Sequence, residues 1–341
     1  MRRCLSYIVL ALMIILSGCD VHEFPAPPEY VKLDLALNYE TKMSQWDHLY
    51  DGKSVIESAL GEPKDIYRES GMIRYVVRAV PVSETRGTVM EEASEFMFVK
   101  DVAGDYNTKV TIQVRPGVYD IMVWSDFVPD NDPFSAYLIK DFSGIMMQED
   151  FMGSSDYNDA FRGTDRIELS ADLTDKPSET LSITMERPLA KFEFIANDLP
   201  EFVKKVTGGL PTKVDVDIEA EDYKVKFYYV GFKPDVYSML SDKPVDSSLG
   251  VTFESTMNTL STTEVRMGFD YVFVGDKGTA VTLQVGVYDQ NDNQISLTDP
   301  IKVPLMRDRH TVLTGAFLTP DASKGVQVDP EYDGDHNWIL P

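Results

Sequence analysis

The chain has 341 residues, of which 32 are basic and 56 acidic, so its formal net charge is −24. A chain this acidic repels phosphate backbones and anionic lipid surfaces, which argues against nucleic acid as a partner. Its two cysteines, Cys4 and Cys19, both stand in the first nineteen residues, so the rest of the chain has no thiol for a disulfide or a cysteine-based metal site.

The first residues are typical of an export leader. Two arginines precede an apolar stretch at residues 5–16, which is shorter than the ~20 residues that a membrane-spanning helix needs. The stretch closes in a tetrad that resembles a bacterial lipobox, Leu16, Ser17, Gly18 and Cys19. The resemblance implies that residues 1–18 are removed and that acyl chains on Cys19 hold the protein to a membrane. An ordinary signal peptide is the alternative.

Residues 19–29 are predicted to be a linker. Three prolines favour an extended conformation of about 3.1 Å per residue, which makes a spacer of roughly 30 Å. Asp20 and Glu23, soon after the cysteine, resemble the export signals of surface lipoproteins in Bacteroides-type bacteria. A periplasm-facing address is the alternative.

From residue 30 onward the sequence has the pattern of β-strands. Apolar and polar residues alternate with a period of two, which gives each strand one buried and one exposed face. The clearest alternating segments are residues 31–39, 110–114, 119–127, 181–185, 190–194, 214–218, 223–229, 265–273, 281–287 and 309–318. The pattern predicts an all-β protein of antiparallel β-sandwiches and not a doubly wound parallel sheet.

Turn and helix signals are few. The stretch from Gly275 to Gly278 joins two strong strands and predicts a β-hairpin. One short helix is expected at residues 200–206, with Asp198 as its cap and Gly208 as its stop, and another near residues 155–161.

Two domains of ordinary size are predicted. A proline follows the strand that ends at Met185, so the boundary is placed between an N-terminal sandwich, residues 30–187, and a C-terminal sandwich, residues 188–325. The polar residues 128–166 are expected to form an excursion at one end of the first sandwich. Residues 326–341 form an acidic tail.

No catalytic or metal-binding motif is recognisable. The four histidines share no ligand spacing, and the sequence has no nucleophile elbow, zinc-protease motif or phosphate-binding loop. Residues 329–335 imitate the start of an EF-hand loop, but Leu340 stands where that loop needs a glutamate. His310 begins a strand and is expected to be exposed or at an edge. No catalytic residue, metal or cofactor is predicted, and the protein is expected not to be an enzyme.

Three segments resemble the fimbrillin-like lipoproteins of Bacteroides-type bacteria, in the same order along the chain. They are residues 116–124 (PGVYDIMVW), 186–194 (ERPLAKFEF) and the closing strands from residue 303 to 317. The resemblance implies two transthyretin-like β-sandwiches and a lipid-anchored subunit of type V fimbriae at the outer membrane, of the anchor or accessory type. Its partners would be other fimbrial subunits, joined by β-strand complementation, in which an extended segment of one subunit completes a sheet of another.

The resemblance also implies two candidate segments for maturation and joining. Stalk subunits of that family are cut after an arginine, and Arg86 is the candidate here, with an ordinary exposed loop arginine as the alternative. An uncut chain would keep its lipid, as suits an anchor. The apolar cluster in the tail, Trp338, Ile339 and Leu340, is predicted either to dock on its own domain or to act as a donor strand for a neighbour.

Two other functions stay open. A surface glycan-binding lipoprotein would present Trp46, Trp124 or Tyr137 to a sugar on an exposed platform. A hydrolase would need two carboxyl groups that face one another in a cleft.

Overall fold

The computed structural model of the chain describes residues 29–40, 42–50, 55–57, 64–65, 72–82, 94–101, 108–128, 135–148, 153–208 and 222–320. The predicted leader and lipobox, Arg86, the predicted strand at residues 214–218 and the cluster Trp338, Ile339 and Leu340 lie outside these ranges. Within them, no helix is long and apolar enough to cross a membrane.

Strands dominate the described residues, so the all-β prediction is confirmed. The strands are β1 (Val31–Tyr39), β2 (Lys42–Tyr50), β3 (Val55–Glu57), β4 (Lys64–Asp65), β5 (Met72–Pro81), β6 (Ser94–Asp101), β7 (Thr108–Val114), β8 (Gly117–Val128), β9 (Tyr137–Ile139), β10 (Ile145–Met147), β11 (Ala160–Leu169), β12 (Glu179–Met185), β13 (Leu189–Ala196), β14 (Lys224–Tyr229), β15 (Phe232–Ser238), β16 (Lys243–Leu249), β17 (Thr252–Thr256), β18 (Asn258–Thr259), β19 (Val265–Phe273), β20 (Thr279–Tyr288), β21 (Gln294–Leu297), β22 (Ile301–Leu305) and β23 (Arg309–Gly315). The helices are α1 (Leu199–Val206) and two 3₁₀ turns, Asp156–Asn158 and Ala171–Asp175.

The strands of the described residues form five sheets, each named here after one of its inner strands. The β1 sheet has the order β12-β1-β7, and the β8 sheet has the order β11-β8-β5-β6. The β15 sheet has the order β16-β15-β10-β9. The β13 sheet has the order β18-β19-β13-β23-β2-β3, with β4 also paired to β2. The β14 sheet has the order β17-β14-β20-β21, with β22 also paired to β20.

Strand direction is the main difference from the predicted antiparallel sandwiches. Most described pairs are antiparallel, but β1 runs parallel to β12, and β23 runs parallel to both β13 and β2. Alternation reports which face of a strand is buried, and it carries no information on the direction of the neighbour.

In the part of the chain that the structure describes, buried apolar side chains form three clusters. The first comes from residues 31–185 and is shared by the β1 and β8 sheets, as in a sandwich. The second comes from residues 190–318 and is shared by the β13 and β14 sheets. The third draws on both halves of the chain and contains Trp124, Tyr137, Tyr237 and Phe273. The predicted boundary at residue 187 stays a prediction.

The predicted hairpin at Gly275–Gly278 is wrong. The chain does turn there, since the Gly278 N–H donates to the Gly275 carbonyl at 3.1 Å. The flanking strands β19 and β20 nevertheless belong to different sheets. The turn residues specify a local reversal, and here the reversal carries the chain from one layer of the second cluster to the other.

The first predicted helix is present but lacks its predicted cap, and the second is shorter than predicted. Helix α1 begins after Asp198, and Gly208 follows its end with φ of 75°, a left-handed conformation that favours glycine. The Asp198 carboxylate does not cap the helix; it accepts hydrogen bonds from the backbone N–H groups of Leu318 and Thr319 instead. A 3₁₀ turn covers only Asp156–Asn158 of the second predicted helix.

The predicted excursion at residues 128–166 supplies strands to two sheets. Its strands β9 and β10 form a hairpin, and β10 pairs with β15 from the second half of the chain. The same stretch also contains the start of β11, which pairs with β8. This part of the chain therefore connects the two halves.

Candidate functional site

Strand β1 occupies the middle of its three-stranded sheet. It pairs parallel to β12 from Leu33 to Tyr39 and antiparallel to β7 from Val31 to Leu37. Its alternate residues Val31, Leu33, Leu35 and Leu37 are 0–1% exposed. A segment from the start of the chain thus fills a slot between two later strands, and its apolar face completes the first cluster.

Asp34 holds the opposite face of β1 in place. Its carboxylate lies 2.6 Å from the Lys109 ammonium and accepts hydrogen bonds from the hydroxyls of Thr111 at 2.6 Å and Ser178 at 2.7 Å. Lys109, Thr111 and Ser178 hold the pKa of Asp34 well below its usual range. Two of these partners lie on β7 and the third directly precedes β12, so the contacts fix β1 against both neighbours.

Arg187, beside the predicted boundary, is a buried connection between distant segments. Its guanidinium donates to Asp159 at 2.9 Å, to Asp308 at 2.9 Å and to the Glu40 carbonyl at 3.0 Å, and it lies 4.5 Å from the Phe161 ring centroid. Burial raises the pKa of Asp308 to about 6, although Arg187 opposes the shift. These contacts hold the end of β1, the start of β11 and the start of β23 together.

A second buried ion pair joins the β15 and β13 sheets. The Lys233 ammonium lies 2.7 Å from the Asp270 carboxylate, and both side chains are fully buried. The same carboxylate accepts hydrogen bonds from the Tyr229 hydroxyl at 2.7 Å, the Tyr271 N–H at 2.8 Å and the Gly153 N–H at 3.2 Å. A carboxylate with this many donors is satisfied in its buried position.

His310 is buried, so its expected exposure is wrong. Its strand β23 lies between β13 and β2, and its Nε2 is 2.9 Å from the Glu193 carboxylate. Glu193 also pairs with Arg266 on β19. Burial alone would raise the pKa of Glu193, but His310 and Arg266 outweigh it and lower the pKa to about 2.

These charged groups hold neighbouring strands and sheets together. Each buried carboxylate described above is paired with a cation or surrounded by N–H and O–H donors. Among the described residues, no group of three or more His, Cys, Asp or Glu is arranged to hold a metal ion. The sequence shows one signal for such a buried charged contact, which is a charged residue between apolar neighbours of a strand, as Asp270 is between Phe269 and Tyr271 of β19.

The structure removes two aromatic residues from the glycan-binding alternative. Trp124 and Tyr137 are buried in the third cluster, and the Trp124 indole N–H donates to Asp126 at 3.0 Å. Neither side chain is available to stack on a sugar. Trp46 lies in β2, but its side chain is outside what the structure describes, so the structure does not test its predicted role.

A family model matches residues 28–340 of the chain. The chain belongs to the family of unknown function DUF6562. No curated protein sequence matches this DUF6562 member.

Several solved structures are similar to the DUF6562 chain at low identity. A candidate adhesin from Bacteroides ovatus is 12% identical, with 92% of this chain and 97% of that chain covered and a TM-score of 0.43. The fimbrial anchor protein Mfa2 from Porphyromonas gingivalis is 13% identical, with 79% and 82% covered and a TM-score of 0.34. A candidate polysaccharide-binding protein from Bacteroides thetaiotaomicron is 9% identical, with 78% and 79% covered and a TM-score of 0.41. Adhesin-type and fimbrial proteins, the class that the sequence resembles, are thus among its structural neighbours.

Proposed function

We propose that this DUF6562 member is a lipid-anchored outer-membrane fimbrial subunit of the anchor or accessory type, which joins other subunits by β-strand complementation. The observation that carries the proposal is the seating of β1. One strand lies between two others, with backbone pairing on both sides and four alternate side chains buried. Strand complementation uses the same two elements, which are main-chain hydrogen bonds for affinity and alternate side chains in pockets for specificity.

Retention of β1 suits an anchor. With β1 in its slot, the acyl chains proposed on Cys19 stay joined to the folded protein through residues 19–29. The slot is then closed by the chain itself, so a neighbour's strand is expected to add at a free edge of a sheet. Unpaired edges are the parts of a sheet that recruit another strand.

The position of Arg86 supports an uncut chain. Cleavage after Arg86 would separate β1 to β5 from the rest of the protein. This set contains β1, but also β5, which lies between β8 and β6, and β2, which lies between β23 and β3. A cut there would remove strands from inside three sheets, whereas the opening of a single slot needs only the loss of β1.

Metabolic acyl labelling tests the anchor. We expect the wild-type protein to incorporate a labelled fatty acid and the Cys19→Ala variant to lose it, while Cys4→Ala, whose cysteine lies within the leader, keeps the label. Protease shaving of intact cells should then release the wild-type protein. An unlabelled wild-type protein that is freely secreted would contradict lipid anchoring.

A disulfide across β1 and β7 tests whether β1 stays in place during assembly. Lys32 and Gln113 are directly paired and both exposed, so cysteines at the two positions suit a cross-strand disulfide. We expect the oxidised Lys32→Cys/Gln113→Cys variant to co-purify with fimbrial subunits as well as the single Lys32→Cys variant does. Recovery of partners only after reduction would mean that β1 must leave its slot, as in a stalk subunit.

A further inference from the structure

Exposed apolar side chains are concentrated on one sheet. Among the described residues, twelve large apolar side chains are exposed, and seven of them belong to residues 138–146 or 230–249. These seven are Leu138, Met146, Val230, Phe232, Leu240, Val245 and Leu249. All of them lie in or beside the strands of the β15 sheet, whereas the other five are scattered along the chain. Single exposed apolar residues are ordinary, but a group confined to one sheet marks a contact surface.

Strand pairing places several of these side chains next to one another. Leu138 is directly opposite Met146, Met146 is opposite Val236, and Phe232 is opposite Leu249. The intervening residues of these strands, such as Tyr137, point the other way into the third cluster. We call the side that carries Leu138, Met146, Val236, Phe232 and Leu249 the outer face of the β15 sheet.

Two lysines stand at one end of the outer face. Lys140 lies two residues beyond Leu138, and Lys243 begins β16 opposite Ser238. The pairings of β9, β10 and β15 put both lysines at the same end of the sheet. Both are exposed, and neither forms an ion pair with a described residue. In a chain of net charge −24, a pair of free cations beside an apolar surface favours an acidic, apolar occupant.

Residues 321–341 of the same chain have this chemistry. They contain five acidic residues against a single lysine, and Asp333 and Asp335 stand just before the apolar cluster Trp338, Ile339 and Leu340. The 21 residues after Pro320 reach up to about 70 Å when extended, which is enough to bring the cluster to any side of a molecule this size. A tethered segment also has an effective concentration on the order of millimolar, well above a second copy at micromolar concentration.

We propose that Trp338, Ile339 and Leu340 dock on the outer face of the β15 sheet of their own chain, with Asp333 and Asp335 facing Lys140 and Lys243. The docked cluster covers the apolar side chains that the sheet leaves exposed. Of the two roles predicted for this cluster, docking on its own domain or donation to a neighbour, we therefore assign the first. This assignment depends on neither the lipid nor a fimbrial partner.

Disulfide trapping tests the assignment. In the full-length chain, Cys4→Ser and Cys19→Ser remove both native thiols. Met146→Cys and Ile339→Cys are then added, and the protein is oxidised at micromolar concentration. We expect an intrachain disulfide in a monomer, mapped by peptide mass spectrometry, with a yield at least five times that of a Met97→Cys/Ile339→Cys control. Met97 is also exposed, but it lies on β6.

Each other outcome overturns the assignment. Equal yields with Met97 would show an undirected segment, and interchain dimers would show that a second copy occupies the face. If the Met146 variant does not fold, Leu138→Cys replaces it on the same face.

A charge reversal tests the two lysines. Lys140→Glu with Lys243→Glu should lower the intrachain yield severalfold, and adding Asp333→Lys with Asp335→Lys should restore it. Because no lipid or partner takes part, failure here leaves the proposed function standing.

Discussion

Replacing Lys233 with methionine should cost the chain about 3–5 kcal/mol of unfolding free energy, because it leaves the buried Asp270 carboxylate without its cation. In the folded protein the two charged groups lie 2.7 Å apart with no exposure to solvent. Three other donors remain on Asp270 after the change, from Tyr229, Tyr271 and Gly153. They keep the carboxylate hydrogen-bonded, so we expect a cost near the lower end of that range.

The partner substitution separates the charge from the hydrogen bonds. Asp270→Asn alone leaves the Lys233 ammonium buried, beside the Met147 sulfur at 3.6 Å and the Tyr229 ring at 5.2 Å, and should cost a similar amount. The double variant removes both charges, and the amide oxygen of the new asparagine can accept from the Tyr271 and Gly153 N–H groups while its NH2 group donates to the Tyr229 hydroxyl. Its cost should fall to about 1–2 kcal/mol, that of hydrogen bonds in altered geometry.

Urea unfolding followed by far-ultraviolet circular dichroism measures these differences. Lys277→Met, at an exposed lysine, is the matched control and should change the unfolding free energy by less than about 0.5 kcal/mol. A Lys233→Met variant as stable as this control would refute the buried ion pair. A double variant less stable than both single variants would refute the argument that unpaired charge carries the cost.

Other changes should have equally defined effects. Since the pKa of Glu193 is about 2 in the folded protein against an ordinary 4.5, its charge adds about 3 kcal/mol of stability above pH 4.5, and this is lost as the pH falls towards 2. Urea midpoints measured from pH 6 to pH 2.5 should therefore converge for wild type and Glu193→Gln, and parallel curves would contradict the pairing. Gly163→Ala places a Cβ 2.7 Å from a backbone oxygen of β12 and should cost about 1–3 kcal/mol in the same assay, whereas Gly231→Ala meets no atom within 4 Å and should be neutral. Asp198→Ala should speed amide exchange at Thr319, which donates to that carboxylate at 2.7 Å; unchanged exchange would contradict the contact.

Alternation predicts a strand well where only one face is buried. Strand β1 is close to this case, since its odd-numbered residues Val31 to Leu37 are apolar and buried, and of its even-numbered residues only Asp34 is buried. Strand β13 departs from the rule, because it lies under neighbours on both faces and buries Lys191 and Glu193 as well as its aromatic residues. The ionic partners that compensate for the desolvation of these two charges are distant in the sequence, so a period-two pattern does not reveal them.

A single β-bulge lets β19 contribute side chains to two of the buried clusters. Alternation places Met267, Tyr271 and Phe273 on the same face. The pairing of β13 with β19 shifts register between Phe194 and Ile195, so Met267 packs in the second cluster while Tyr271 and Phe273 pack in the third. One extra residue exchanges the two faces of a strand, and its position depends on the partner strand.

The candidate sites were the least predictable part of the molecule. The lipobox, Arg86 and the cluster Trp338, Ile339 and Leu340 lie outside the described residues, so those predictions stay predictions. The ion pair of Lys233 and Asp270 joins residues 37 positions apart, and that of Arg187 and Asp308 joins residues 121 apart. Such pairs meet only when the sheets are assembled, and local pattern carries no record of them.

The seating of β1 has a mechanical consequence. A pull on the chain ahead of Val31, directed along the strand, meets backbone hydrogen bonds to β12 on one side and to β7 on the other. These bonds run across the direction of the pull, so they are loaded together in shear and do not open one after another. A force on the segment before Val31 must therefore break the hydrogen bonds to β12 and those to β7 together before β1 leaves its sheet.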